Sequence, residues 1–232
     1  MIKDVNQTLT EAKTPPPAIL NQINRCLEAG QFEEALEVIC ESLLRYQNSP
    51  ELLTLQGATS NKVGRFQQAI TCLQKAIKLQ AENAESYYHL GIAFQEKGEM
   101  ISAVKNYEKA IELAPKLLSA RNKLGSVLLE SGYPDASIDI LEELLEIIDG
   151  DSETHLNLGK AYESKSNFQH ATKHYSLAQE LMPENLEILK RLGVSHQLNG
   201  AIQKGRMLVR EAEGVICLNL ETGTAIKVGK ML

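Results

Sequence analysis

The 232-residue sequence contains no tryptophan, few aromatic residues and no long apolar run. A membrane-spanning helix needs about 20 consecutive apolar residues, and no stretch approaches that length. The N-terminal region also lacks the apolar segment of a secretory signal peptide. We therefore expect neither membrane insertion nor secretion, and we expect the protein to be cytoplasmic.

Positive charge and metal-ligand motifs are scarce as well. The formal net charge is −6, and no basic stripe of the kind that binds a phosphate backbone occurs. Cys26, Cys40, Cys72 and Cys217 show no CxxC or zinc-ligand spacing. We expect no nucleic-acid partner, no cofactor and no metal.

What the sequence does contain is a period. Gly57, Gly91, Gly125, Gly159 and Gly193 stand 34 residues apart, a spacing typical of stacked helix pairs. Segment 84–117 is the clearest copy and shows the apolar pattern of two amphipathic helices. Because two packed helices need small residues where their axes cross, we expect Gly91 to lie against Ala103, with Tyr107 beside them.

The order of residues in this segment resembles that of the tetratricopeptide repeat family. Leu90-Gly91 is followed by Phe94, then by Ala103 and Tyr107, and a proline closes the segment. The pattern recurs in one register from about residue 18 to 213. The resemblance implies an all-α fold, a right-handed α-solenoid of about six helix-turn-helix repeats, with a short strand-like tail.

The predicted boundaries follow from this register. We expect a flexible arm over 1–17, because a run of three prolines ends it and cannot continue a helix. This arm is either a plain linker or a ligand for an aromatic groove. The predicted repeats cover 18–49, 50–83, 84–117, 118–151, 152–185 and 186–213. Gly205 stands in the last helix and costs about 1 kcal/mol relative to alanine, so we expect that helix to be weak.

The tail, 214–232, is β-branched and alternating, which predicts a β-hairpin of 215–220 with 225–228. A three-residue loop around Gly223 would set Leu220 opposite Ile226 and Leu218 opposite Val228. The hairpin would either cover repeat six or pair with a second chain to make a homodimer. A disordered tail is the third possibility.

No catalytic constellation stands out. His170 and His174 are four residues apart, a spacing that can hold a metal, but equivalent residues in the other repeats are not ligands. We interpret the two histidines as part of a solvated helix face. The stretch 200–207 departs from a phosphate-binding loop at Arg206 and Met207.

The family resemblance implies instead a concave groove lined by the first helix of each repeat, which binds a protein or peptide. Acidic residues outnumber basic ones at these positions, so a basic or neutral segment is mildly favoured. Tyr88 and Ile92 either contribute apolar contact to a partner or fill the interface between repeats. The candidate partner-binding residues are Asn61, Glu85, Tyr88, Ile92, Gln95, Asn122, Ser126, Leu129, Leu156, Lys160 and Glu163.

The sequence therefore predicts a non-catalytic interaction scaffold. The alternative is the N-terminal recognition module of a larger or truncated enzyme, for example a transferase, whose catalytic part would begin near the strand-like tail.

Overall fold

The computed structural model describes residues 14–148 and 150–213, together with the backbone of two short strands in the tail. Residues 1–13 of the predicted arm (1–17), Asp149 and the rest of the tail lie outside the described residues. The described residues form twelve α-helices. These are α1 (Pro17–Glu28), α2 (Phe32–Arg45), α3 (Pro50–Lys62), α4 (Phe66–Leu79), α5 (Ala84–Glu96), α6 (Met100–Leu113), α7 (Leu118–Glu130), α8 (Pro134–Ile147), α9 (Ser152–Ser164), α10 (Phe168–Leu181), α11 (Leu186–Leu198) and α12 (Ile202–Ala212).

The helices belong to two compact units, Met1–Ala120 and Arg121–Leu232. In the first unit each helix from α1 to α5 packs on the next, and α3 also packs on α5. In the second, α8 packs on α9, α9 on α10, α10 on α11 and α11 on α12. The order and packing of the helices confirm the all-α fold of the helical-repeat solenoid class. The handedness stays a prediction.

Local sequence signals set where the helices begin. The side chains of Ser49, Asn83, Asp151 and Asn185 accept hydrogen bonds from backbone N–H groups in the first turns of α3, α5, α9 and α11. Such caps are worth about 1 kcal/mol each. α1 begins at Pro17, one residue before the predicted start of the array, because proline is well suited to the first helical position.

The turn inside each helix pair depends on one backbone conformation. In five repeats a glycine holds it, with φ between 73° and 88°. These glycines are Gly30, Gly64, Gly98, Gly132 and Gly200. In the fifth repeat Ser166 takes the same position with φ 58°, a left-handed conformation that disfavours a residue with a Cβ.

The glycines that recur every 34 residues lie against large side chains of the second helix. A Cβ on Gly91 would lie 2.6 Å from Cε1 of Tyr107, so its nearest neighbour is the tyrosine ring and not Ala103. Gly125 stands in the same relation to Leu141, at 2.5 Å from its Cγ. These glycines therefore make room for a large side chain of the second helix. Ala103, on the same second helix as Tyr107, is fully buried.

Repeat six is the exception, because there two backbones meet. A Cβ on Gly205 would lie 2.4 Å from the carbonyl oxygen of Gly193 and 2.5 Å from Cγ of Gln197. In repeat four the equivalent residue is Ser137, whose hydroxyl donates to the Gly125 carbonyl at 2.7 Å. Glycine at 205 therefore permits a closer approach of α11 and α12 than a side chain would allow.

Buried polar pairs join some neighbouring repeats. Thr54 and Ser86 share a hydrogen bond of 2.7 Å between their hydroxyls, and Asn122 donates to Thr154 Oγ1 at 3.2 Å. Both pairs are buried and 32 residues apart, at the same register. The equivalent pairs in the first and the fifth repeat junctions are apolar: Leu20 with Leu52, and Leu156 with Ile188.

Two strands occur in the tail, β1 (Cys217–Leu218) and β2 (Ala225–Ile226), and they pair antiparallel. The predicted register is wrong. Leu218 stands opposite Ala225 and not opposite Val228, and Ile226 stands opposite Cys217. The predicted three-residue loop, 222–224, lies outside the described residues.

Candidate binding surfaces on the first helices

The predicted site residues of the first unit lie on α3 and α5, which are in contact. Asn61 is half-buried and donates from Nδ2 to the backbone oxygen of His89 at 2.8 Å. Gln95 accepts from the Tyr107 hydroxyl at 2.8 Å. Asn61 therefore joins α3 to α5 and Gln95 joins α5 to α6, although part of each side chain stays accessible.

The apolar residues of this surface are shared between packing and solvent. The Tyr88 ring lies 5.0 Å from that of His89 and 6.1 Å from that of Tyr107. Tyr88 and Ile92 are each partly exposed. Each of them thus contributes to repeat packing and still offers apolar surface.

Two carboxylates flank these residues. Glu51 on α3 and Glu85 on α5 occupy equivalent positions and are exposed. Neither forms an ion pair within the part of the chain that the structure describes. The first helices of this unit therefore present uncompensated negative charge beside apolar surface.

In the second unit, Asn122 is not accessible as predicted. It is 4% exposed, donates to Thr154 and accepts from Asn157 Nδ2 at 2.7 Å. A buried amide with these partners stabilises the junction of α7 with α9, and removing one partner would leave a costly unpaired group. We therefore remove Asn122 from the binding surface.

The other predicted residues of α7 and α9 divide between core and surface. Leu129 packs on the cluster that contains Leu141 and Leu158, and Leu156 packs on the cluster that contains Leu192. Both leucines are partly buried. Ser126 donates to Glu130 at 3.0 Å and remains partly exposed.

Lys160 and Glu163 belong to a network of charges with α11. Lys160 Nζ lies 3.1 Å from Glu187, and Arg191 contacts both Glu187, at 3.1 Å, and Glu163, at 3.4 Å. Hydrogen bonds from Lys160 and Arg191 hold the pKa of Glu187 below its ordinary value. Burial, with the hydrogen bond to Glu163, raises the pKa of Tyr175. The charges at this end of the surface thus compensate one another.

A cleft of about 340 Å³ opens beside this network. Lys190 and Val194 line it together with Glu163, Glu187 and Arg191. Because the acidic groups already face cations of the same chain, the cleft offers less attraction to a basic segment than the first unit does.

His174 is 7% exposed and belongs to the core of repeat five, so the prediction of a solvated face is wrong for this residue. Its Nδ1 lies 3.1 Å from Nδ1 of His155, and its ring stacks on Tyr162 with centroids 5.6 Å apart. His170 is exposed, as predicted, and stacks on the same tyrosine at 4.9 Å.

The two facing nitrogens require one donor and one acceptor, so the pair is stable when both rings are neutral. Burial is the main cause that lowers the pKa of His174 to about 4, and the nearby His155 lowers it further. Burial also lowers the pKa of His155. In the described ranges no three His, Cys, Asp or Glu side chains come together as a metal site.

Comparisons with known proteins agree with this architecture. A family model described as "TPR repeat" matches residues 61–98, and one described as "Tetratricopeptide repeat" matches 84–117. No curated protein sequence matches the chain. Within the described segments, none of the helices combines the length and apolar character needed to cross a membrane.

Three crystal structures illustrate the similarity. MamA is 29% identical, with 70% of this chain and 95% of that one covered and a TM-score of 0.61. TTC0263, described as a thermophilic TPR protein in Thermus thermophilus, is 20% identical, with 77% and 97% covered and a TM-score of 0.64. YrrB, described as a TPR protein with an unusual peptide-binding site, is 18% identical, with 76% and 91% covered and a TM-score of 0.61.

Proposed function

Because the chain is a tetratricopeptide repeat protein, we propose that it is a scaffold that binds a basic, extended segment of a partner protein on the first helices of its first unit. Such repeats mediate protein–protein interactions in general, and proteins of this fold are generally non-catalytic scaffolds. The structural neighbour YrrB, described as having a peptide-binding site, is a precedent for peptide recognition in this fold.

The observation that carries the proposal is the contrast between the two units. Glu51 and Glu85 are exposed and unpaired among the described residues, next to the partly exposed Tyr88. The corresponding glutamates of the second unit are paired: Glu153 with Lys123 at 2.9 Å, and Glu187 with Lys160 and Arg191. A cationic segment gains most from the surface that lacks cations of its own.

The spacing of the two carboxylates suggests the form of the ligand. Packed helices such as α3 and α5 have axes about 8–10 Å apart. A polyproline II segment repeats its facing side chain every three residues, over about 9 Å. A ligand with Lys or Arg at every third position in this conformation would therefore pair one cation with Glu51 and the next with Glu85, and contact Tyr88, which lies one turn from Glu85 on α5.

A labelled synthetic peptide with proline-rich sequence and lysine at every third position is the probe. Its binding, measured by fluorescence anisotropy, should weaken about fivefold to tenfold in the variant Glu51→Gln with Glu85→Gln, since two exposed ion pairs are worth about 1 kcal/mol together. Tyr88→Ala should weaken it further. A peptide of the same composition with adjacent lysines should bind less tightly.

The matched control is Glu37→Gln with Glu108→Gln, which removes two exposed carboxylates from second helices and leaves the surface intact. This control should bind as the wild type does. Equal weakening in both double variants would mean that only net charge matters, and no binding of the probe to the wild type would refute the basic preference.

A further inference from the structure

A second cleft of the second unit, of about 440 Å³, is lined mainly by its second helices, α8 and α10. Its wall includes two carboxylates of α8, Glu142 and Glu146, and the aromatic rings of Tyr162 and His170. Lys173 is the cation among its lining residues. Tyr162 is held in place, since its hydroxyl donates to Glu142 at 2.6 Å.

The helix that forms this wall is strongly acidic. α8 carries five carboxylates and no basic residue. Asp135, Asp139, Glu142 and Glu146 follow at helical spacing and share one exposed face. Asp139 and Glu146 have no ion pair among the described residues, so part of this charge is uncompensated.

The last helix of the same unit has the opposite charge. Arg206 and Arg210 of α12 lie four residues apart on an exposed face and, within the described segments, form no ion pair. Met207 beside them is 61% exposed and Ile202 is 50% exposed. In the other repeats the position of Met207 is polar: Glu37, Thr71, Lys105, Asp139 and Lys173. α12 thus places an exposed apolar side chain, Met207, where its counterparts are polar, and it stands beside two exposed arginines.

We propose that these two surfaces bind each other between copies of the chain: α12 of one copy docks through Arg206, Arg210 and Met207 in the cleft between Glu142 and Glu146 of a second copy. A guanidinium pairs with carboxylates through two parallel hydrogen bonds and stacks on aromatic faces, and the cleft offers both. Leu145, which also lines the cleft, gives Met207 an apolar contact.

The second copy is the occupant because the chain carries both halves of the contact. A chain with net charge −6 repels itself on average, so association requires that its basic patch meets its most acidic helix. The α12 surface and the cleft beside α8 are different surfaces of the chain, so the contact is heterologous. It therefore propagates into a ring or an open chain of copies. It uses neither Glu51 nor Glu85, so its failure would leave the proposed peptide site untouched.

Light scattering on the full chain tests the proposal. At about 10 mM salt the mass should rise above the 25.7 kDa monomer as concentration increases, and at about 1 M salt it should return to the monomer, because screening then acts within about 3 Å. Arg206→Gln with Arg210→Gln should abolish association, and so should Glu142→Gln with Glu146→Gln, in which the Tyr162 hydroxyl keeps an acceptor.

Mixing the two double variants gives the sharpest result. Each lacks a different half of the contact, so each alone should be monomeric, while the mixture should form a one-to-one dimer and grow no further. The charge-matched control Lys78→Gln with Lys105→Gln, on exposed positions of α4 and α6, should associate like the wild type. A monomeric wild type, association that survives in either variant, or a mixture that stays monomeric would overturn the proposal. Thermal melting verifies that each variant is folded.

Discussion

Replacing Gly205 with alanine sets helix propensity against packing. In a solvated helix the change is favourable by about 1 kcal/mol. In α12 the added Cβ would lie 2.4 Å from the carbonyl oxygen of Gly193 and 2.5 Å from Cγ of Gln197. Comfortable nonbonded contacts are about 3.5 Å, so α11 and α12 would have to separate by about 1 Å.

The packing effect should win. Overpacking of a core typically costs about 1–3 kcal/mol, and a backbone oxygen cannot rotate aside as a side chain can. After the gain in propensity of about 1 kcal/mol is subtracted, we expect Gly205→Ala to destabilise the helix pair by up to about 2 kcal/mol. For a chain of this size, each kcal/mol of destabilisation lowers the Tm by about 2–4 °C.

Thermal melting combined with hydrogen exchange is the assay, since repeats in an array can open separately. Amides of α12 should exchange faster in Gly205→Ala than in the wild type. Gln203→Ala, on the exposed face of the same helix, is the control and should leave exchange unchanged or slow it. A higher Tm or slower exchange in Gly205→Ala would show that the close approach to Gly193 does not limit this position.

Three further predictions concern the second unit. Gly125→Val should cost about 2–4 kcal/mol, because its side chain would enter the space of the Leu141 side chain; a change in Tm under about 1 °C would contradict this. Ser166→Gly should raise stability by about 0.5–1 kcal/mol, since glycine adopts positive φ without strain; unchanged chemical denaturation would argue against strain there. Because the pKa of His174 is about 4 in the fold and about 6.5 in an unfolded chain, stability should be complete above about pH 6.5 and decrease towards pH 4. His174→Gln should flatten that dependence, and an equally steep loss in the variant would assign it to other groups.

The helices were predictable because the sequence signals for them lie within each repeat. Apolar spacing, N-cap residues and turn glycines act within one or two turns of chain, so the register of Gly91 and its equivalents predicted every helix pair. The side chain that lies against a glycine is harder to predict from the sequence. Whether Gly91 meets Ala103 or Tyr107 depends on how far apart the helices lie, and that distance is set by side chains of both.

The polar residues of the core were harder to predict for a related reason. Asn122 and His174 stand at positions that are exposed or variable in other repeats, and each is buried only because a partner, Thr154 or His155, stands at the matching place on a neighbouring helix. Such pairs are separated by 19 to 32 residues, so the apolar spacing within one helix does not reveal them. The tail shows the same limit, since the apolar match of Leu218 with Val228 did not decide the strand register.

The described repeat junctions are of two kinds, with polar pairs at the second and fourth and apolar pairs at the first and fifth. Loss of a single repeat, for instance 152–185, would bring Asn122 opposite Ile188 and leave the buried amide N–H without the hydroxyl acceptor of Thr154. Loss of two adjoining repeats, 84–151, would instead bring Thr54 opposite Thr154, two hydroxyls that can pair. Descendants of this chain should therefore gain or lose repeats in twos.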